Sequence, residues 1–587
     1  MGSLQRLDHR TGESRAINVW PVDNMGAGAE AAKYRFQWNY PIFFSPNNPK
    51  KLYAAGNHLF VTEDEGKTWQ MISPDLTTND KKKQVSSGGP ITQDNTSVEY
   101  YCTIFAATES WLENDLLWTG SDDGLIHVSK DGGKNWDNVT PKDCPKAMMW
   151  NCVETDPFKK GAAYFVGTRY KSDDFAPYIY KTEDYGKTWK LIVNGINRMH
   201  FTRAIRADRK KAGLLYAGTE YGMYISYDDG ASWKSFQLNL PVVPITDLAI
   251  KNNDLIVGTQ GRSIYILDNL TTVQQKNTAI LNKGLHVFDV NPAYRMPGAG
   301  RRGGGAGGAG VTNAGMNPPN GVVFNYYLKD QSDSTKLTIA LMDKNKKVIK
   351  TYATSSKENK VEVVKGINQF EWDMNYPEAE RVEGLILWNG FIRGPKAAPG
   401  NYFAKFKSGS DSEEVPFTIL ADPNYKTSLA EYDEQFNHLI SIRDKSSEIM
   451  KAIKNIREMR QQINDFSARQ GKDIPKEVKQ QIDTVNKQMT AVEDALHQTK
   501  AKSGQDVLNF PIKLDDKLSS IYNAAAAGQS GLSRQSKEAY TELAVQIDEQ
   551  LSKLKKIMNE DVVKLNQLIH EKTLPVIGPK KDEKDKE

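Results

Sequence analysis

Cysteine is scarce: the 587 residues include three, Cys102, Cys144 and Cys152. So small and odd a number sets up no disulfide framework. Cys144 and Cys152 have no matching second pair, and the eight histidines show neither paired spacing nor a His-Glu-x-x-His run, so no metal site is expected. Long apolar runs are missing as well. No stretch of about 18 apolar residues occurs, so no transmembrane helix is expected. The opening Met1-Gly2-Ser3-Leu4-Gln5-Arg6 lacks the apolar centre of a secretory signal peptide, which leaves a cytoplasmic chain or an N-terminally truncated fragment as the expectations. Charge of one sign is also missing. The 77 Lys and Arg nearly balance 73 Asp and Glu, net +4, which argues against nucleic acid as a partner. There is no Gly-x-Ser-x-Gly elbow for a serine hydrolase. The Gly-rich run at 303–310 lacks the Lys-Ser/Thr ending of a phosphate loop, and no cofactor is expected.

Aromatics and glycine are plentiful: 11 Trp, 25 Tyr, 20 Phe and 44 Gly. Many fall in a repeat. Thr62-Glu63-Asp64-Glu65-Gly66-Lys67-Thr68-Trp69 recurs as Ser129–Trp136, Thr182–Trp189 and Ser226–Trp233, each reading [ST]-x-D-x-G-x-x-W. In this motif the Asp accepts backbone N–H bonds and holds a tight turn. The Gly takes a positive φ, and the Trp buries a large surface beneath the turn. The structural set is therefore Asp64, Gly66 and Trp69, Asp131, Gly133 and Trp136, Asp184, Gly186 and Trp189, and Asp228, Gly230 and Trp233. Before each box runs a short apolar strand ending in Gly, such as Leu215-Tyr216-Ala217-Gly218, and a fifth such strand, Leu255-Ile256-Val257-Gly258, precedes a degenerate box. Several short strands per repeat read as propeller blades. A partial repeat at residues 4–12 reads as a hairpin.

The boxes resemble the Asp-box (BNR) repeats of sialidases, sortilin-type propellers and two-propeller xyloglucanases. The flanks Tyr34-Arg35-Phe36-Gln37-Trp38-Asn39-Tyr40-Pro41, Ser73-Pro74-Asp75-Leu76-Thr77, Gly258-Thr259-Gln260-Gly261-Arg262-Ser263 and Gly315-Met316-Asn317-Pro318-Pro319-Asn320-Gly321 look closer still to bacterial sortilin-like BNR-repeat proteins often labelled glycosyl hydrolase. The resemblance implies a β-propeller and an extracytoplasmic location, periplasmic or secreted. Members of that group are usually longer, with a secretion signal and more blades before this region, so the propeller here is either complete with few blades or truncated. Fold alone does not imply function.

Downstream the composition changes. Residues 298–321 read as a Gly-rich linker. Residues 322–423 carry β-favouring segments such as Val322–Leu328 and Leu337–Leu341 and read as an immunoglobulin-like β-sandwich. Residues 424–573 carry apolar stripes at helical spacing, Ile442, Ile449, Ile456 and Ile463 among them, after a capping box at Ser428-Leu429-Ala430-Glu431. They read as a helical bundle, open to helix-mediated association. Residues 574–587 read as a charged, disordered tail. The expected fold class is thus mainly β with an α-helical C-terminal region: an Asp-box β-propeller over 1–297, then the sandwich and the bundle.

Ligand-facing residues are expected at the turns after each strand-ending Gly, which converge on one end of the channel if blades close in a ring. These are Asn57, His58, Arg169, Tyr170, Asp173, Asp174, Tyr221, Gln260 and Arg262. Glycoside hydrolysis needs two carboxylates flanking the bond, for which Asp122, Asp123 and Glu220 are the catalytic candidates. Arg169, Arg203 and Arg262 are present, but the sialidase Arg-Ile-Pro signature is not. Three readings follow. The preferred one is a non-catalytic extracytoplasmic binding protein whose propeller face takes a peptide or glycan. The others are a glycoside hydrolase acting on a polysaccharide, and a cell-envelope scaffold partnering another envelope protein.

Overall fold

A computed structural model describes residues 3–296, 317–330 and 336–577. Most of the Gly-rich segment and most of the charged tail lie outside the described residues. The chain divides into two compact units, Met1–Gln275 and Lys276–Glu587.

The first unit is a β-propeller of consecutive antiparallel sheets. A hairpin of β1 (Gln5–Leu7) and β2 (Ser14–Ala16) precedes them. The first full sheet is β3 (Ile42–Phe44), β4 (Leu52–Ala55), β5 (Leu59–Thr62) and β6 (Gln70–Met71). The second is β7 (Ile104–Glu109), β8 (Leu117–Ser121), β9 (Ile126–Ser129) and β10 (Asp137–Asn138). The third is β11 (Met149–Thr155), β12 (Ala163–Arg169), β13 (Asp174–Thr182) and β14 (Lys190–Leu191). The fourth is β15 (Thr202–Ala207), β16 (Leu215–Thr219), β17 (Gly222–Ser226) and β18 (Lys234–Ser235). The fifth has three strands, β19 (Ile245–Lys251), β20 (Asp254–Thr259) and β21 (Ile264–Leu267), and the short helix α1 (Thr271–Gln275) closes the unit. Within each sheet, strands pair in sequence order.

The second strand of each of the first four sheets lacks polar/apolar alternation because both its faces are covered. Every residue of β4, β8 and β16, and all of β12 except Arg169, is buried. Glycines in β8 and β16 admit the next sheet. A Cβ at Gly120 would stand 2.6 Å from the Trp150 Cβ, and one at Gly218 would stand 2.7 Å from Ile245 Cγ2.

The Asp turns join the blades. Asp131 Oδ1 accepts from Asn135 N at 3.0 Å and Ser129 Oγ at 2.9 Å, and Oδ2 accepts from Asn135 Nδ2 at 2.7 Å. Gly133 sits at φ 95°. The indole N–H of Trp136 then donates to Ile72 O of the preceding sheet at 3.0 Å. The same donation runs from Trp69 to Ile17 O, Trp189 to Val139 O and Trp233 to Ile192 O. Thus each Trp both fills space and ties its blade to the segment before it.

These turns also give an acid response. Hydrogen bonds from Thr68 N, the Thr68 hydroxyl and Thr62 hold Asp64 down to about 2, and Asn135 N with the Asn135 amide does the same for Asp131. Both carboxyls lie below their unfolded value of about 4, so the unfolded chain binds more protons in that window. Their stabilisation is full above about pH 4 and is lost as pH falls towards 2. Thermal unfolding between pH 4.5 and 2.5 should show this loss, and an Asp64→Asn/Asp131→Asn double variant should show a shallower one.

In the second unit, α2 (Thr278–Asn282) leads into β22 (Leu285–Val287) and β23 (Ala293–Tyr294), followed by β24 (Val322–Leu328), β25 (Leu337–Met342), β26 (Val348–Ala353), β27 (Gly366–Trp372), β28 (Gly400–Ser408) and β29 (Asp411–Leu420). They form two sheets, ordered β22-β24-β27 and β23-β29-β28-β25-β26. Phe324, Trp372, Phe406 and Phe417 share one core between them. Residues 285–294, grouped by sequence with the propeller, pair here instead. β22 joins β24, and β23 runs parallel to β29.

Among the described residues five α-helices follow: α3 (Leu429–Gln470), α4 (Lys476–Leu496), α5 (Leu514–Ala526), α6 (Arg534–Lys556) and α7 (Val562–Glu571). Ser428 and Glu431 close a capping box on α3. Ile442, Ile449, Ile456 and Ile463 are all buried in the shared helical core. The stripes foresee α3, α4 and the α6–α7 run, and α5 is additional. It buries Leu514, Leu518, Tyr522 and Ala525 beside a loop that contributes Leu385 and Ile392. Among the described residues, no helix is long and apolar enough to cross a membrane.

Candidate functional site

The innermost strand of every propeller sheet, β3, β7, β11, β15 and β19, lines one cavity of about 1200 Å³. Four of these strands carry the same irregularity. Register with the neighbouring strand slips between Ile104 and Ala106, Trp150 and Cys152, Thr202 and Ala204, and Ile245 and Asp247. The inserted residues, Phe105, Asn151, Arg203 and Thr246, all line the cavity. A β-bulge re-aims one side chain without ending the strand, and here it does so once in each of four sheets.

The turns after the second strands supply a further layer. The N–H groups of Asp122, Glu220 and Gln260 donate to Thr103 O, Phe201 O and Pro244 O, each the residue just before an inner strand. These three therefore hold equivalent positions in their sheets. Asp122 and Gln260 line the cavity, as do Arg169 and Tyr170. Glu220 does not, but it holds Arg203, which does, at 2.6 Å.

Asp122 is a strongly perturbed lining acid. It is 6% exposed. Burial pushes its carboxyl up, donors from Thr103 pull partly back, and the neighbouring Asp123 charge pushes further, to about 7. Thr103 N and Thr103 Oγ1 each reach it at 2.9 Å. An Asp that keeps its proton near neutrality can donate it.

The remaining sequence candidates are placed as follows. Asn57 is buried in a structural network, accepting from Arg35 N and donating to Asp75. His58 packs on Tyr34 and Phe60, with Nδ1 3.1 Å from Ser73 O. Asp123 accepts from Thr78 N at 2.8 Å and Thr78 Oγ1 at 2.6 Å. Asp174 takes Arg169 Nη1 at 2.6 Å and the Tyr178 hydroxyl at 2.7 Å. Asp173 adopts φ 57° as the left-handed end of a short turn. Tyr221 stacks on His200 at 4.7 Å, and Arg262 is exposed. None of these lines the cavity, nor does any Asp of the four boxes. Cys102, Cys144 and Cys152 are free thiols.

Several lining residues escaped the sequence reading: Trp38, Glu109, Trp111, Glu154, Arg206 and Asp247. Glu109, Glu154, Arg206 and Asp247 lie on the inner strands themselves, among apolar neighbours such as Cys152-Val153-Glu154 and Ala204-Ile205-Arg206. A charge inside an apolar strand was the available signal. Asp247 takes Arg206 Nη2 at 2.8 Å and stays largely open to solvent. Glu154 is buried 2.9 Å from Arg209, whose guanidinium lies 4.1 Å over the Trp111 ring. Burial pushes the Glu154 carboxyl up, against the charges of Arg206 and Arg209. Trp38 and Trp111 are 66% and 48% exposed, offering ring faces at the cavity.

No family model matches the chain. Over 161 residues it is 27% identical to the oligoxyloglucan-reducing end-specific xyloglucanase of Emericella nidulans, a stretch covering 26% of this chain and 17% of that protein. The chain thus spans less than a fifth of this curated relative. Among solved structures, similarity extends to the GH74 xyloglucanase from Xanthomonas campestris, with TM-score 0.32, 13% identity, 68% of this chain and 60% of that one. It also extends to YCF48 bound to D1 peptide, with TM-score 0.27, 15% identity, 45% of this chain and 76% of that one. The first unit is a β-propeller whose inner strands build one cavity, in a chain similar over part of its length to a xyloglucanase.

Proposed function

We propose that the chain is a glycoside hydrolase whose propeller cavity takes a segment of polysaccharide. The observation that carries this reading is Asp122, a carboxyl held protonated near neutrality at the cavity. In the proposed reaction Asp122 protonates the leaving glycosidic oxygen, and Asp247, open to solvent beside Arg206, is the partner carboxylate. Exposed Trp38 and Trp111 give sugar rings apolar faces to lie on. The partial sequence match to a xyloglucanase points to a β-glucan substrate. An extracytoplasmic location, the Asp-box (BNR) assignment of the repeats, and an immunoglobulin-like sandwich and helical bundle as accessory regions belong to the same proposal.

Incubation with xyloglucan, other β-glucans and glycopeptides should release oligosaccharides from a glucan. Asp122→Asn should lower that release by about 10²–10⁴-fold, the usual worth of a positioned acid, while leaving glycan binding in place. Full activity in the variant would overturn the assignment.

A second reading, non-catalytic recognition of a glycan or peptide, is favoured by how Asp123, Asp174 and Glu220 are tied up in hydrogen bonds and ion pairs. Binding without released product would select it.

A further inference from the structure

The second unit contains a cavity of about 530 Å³ whose lining is cationic. Arg295, Arg381, Arg393 and Lys396 contribute to it with Asn375 and Asn523, and no Asp or Glu of the described residues does. Arg381 is paired with Glu378 outside the lining. The other three cations make no ion pair among the described residues.

Arg295 is the telling member. It is 7% exposed. Its Nε donates to Ala397 O at 3.0 Å and its Nη1 to Gln529 Oε1 at 3.2 Å, and its guanidinium lies 5.2 Å over the Tyr432 ring. All three partners are neutral. The route to a carboxylate runs through Gln529, whose amide reaches Asp422 at 3.4 Å, and the guanidinium itself touches none. Lys396 donates to a neutral acceptor as well, Met296 O at 2.7 Å.

Burying a charge without a counter-charge is costly, and a second cation beside it raises that cost. Burial lowers the pKa of both Arg295 and Lys396, and the charge of Arg295 lowers Lys396 further, against a smaller upward pull from Asp373. An anion in the cavity would relieve each of these penalties at once. A guanidinium fork matches a planar or tetrahedral oxyanion, and an ammonium supplies a point charge next to it.

We infer that this cavity is a binding site for a small oxyanion-bearing ligand, a carboxylate or a phosphate, recognised by Arg295, Lys396 and Arg393. Its volume suits a ligand of sugar-acid or sugar-phosphate size. The site belongs to the second unit and stands independently of the glycan reading.

Calorimetric titration of the full chain at low ionic strength, with inorganic phosphate, glucuronate and neutral glucose, tests the inference. The expected result is saturable binding of phosphate, glucuronate or both, and none of glucose. Phosphate alone assigns a phosphate ligand, and glucuronate alone assigns a carboxylate. Lys396→Met at a half-buried position and Arg393→Gln at an exposed one, both avoiding the buried Arg295, should each weaken binding at least tenfold, with unfolding temperatures confirming that the variants are folded. Absence of binding by either anion overturns the inference. So does anion binding that both variants leave unchanged.

Discussion

At pH 8 the Asp122→Asn variant is expected to unfold at a higher temperature than the unaltered protein. Asp122 is buried and titrates at about 7 in the folded chain, against about 4 when unfolded. Between these values the folded state holds a proton that the unfolded state has released, so stability falls as pH rises. The contribution is fully present below about pH 4 and lost as pH passes through 7. A shift of three pH units corresponds to about 4 kcal/mol. Asn carries no charge to bury, and it can still accept from Thr103 N and donate to Thr103 Oγ1. The gain should therefore grow from pH 5 to pH 8, at about 2–4 °C for each kcal/mol in a unit of this size. A gain equal at the two pH values would contradict the account. Under the proposed hydrolysis the same titration sets the rate: oligosaccharide release should fall as pH rises through about 7, because the acid form of Asp122 disappears.

Trp150→Ala should cost about 3–5 kcal/mol, the range for removing a large aromatic from a packed core. Trp150 is fully buried, with Phe165 and Tyr180 edge-on at ring-centre distances of 5.8 Å each. It sits on the inner strand β11 and faces Gly120 of the preceding sheet, so the hole would open between two blades. Total stabilities of about 5–15 kcal/mol make this a large fraction. Trp38→Ala is the comparison. Trp38 is exposed at the cavity, and its loss should change stability by about 0.5 kcal/mol or less while weakening glycan binding. Urea midpoints of the two variants measure the contrast, and equal midpoints would remove the distinction between a packing Trp and a ligand-facing Trp.

What was legible in the sequence was local. Each Asp turn closes within eight residues, so its Asp, Gly and Trp are readable without knowing what they pack against. The apolar stripe Ile442, Ile449, Ile456 and Ile463 is equally self-contained, because helical period alone puts these residues on one face. Asp122 and Gln260 could be picked out because the turn after each Gly recurs at a fixed place in the repeat.

Tertiary structure decided the rest. Asn57 and Asp122 both follow the second strand of their sheets, yet Asn57 is turned into a network with Arg35 and Asp75 while Asp122 lines the cavity. That difference depends on residues 22 and 18 positions away. The bulges that bring Phe105, Asn151, Arg203 and Thr246 to the cavity are register slips between strands, which no single strand's pattern encodes. The placement of β22 and β23 in the second unit likewise rests on pairing with strands far along the chain. The sequence by itself determined the repeating turns, the strand-rich first half and the helical end, because those follow from turn chemistry and periodicity. Which charged residues share a cavity was left to the packing of blade on blade, because only there do the inner strands meet.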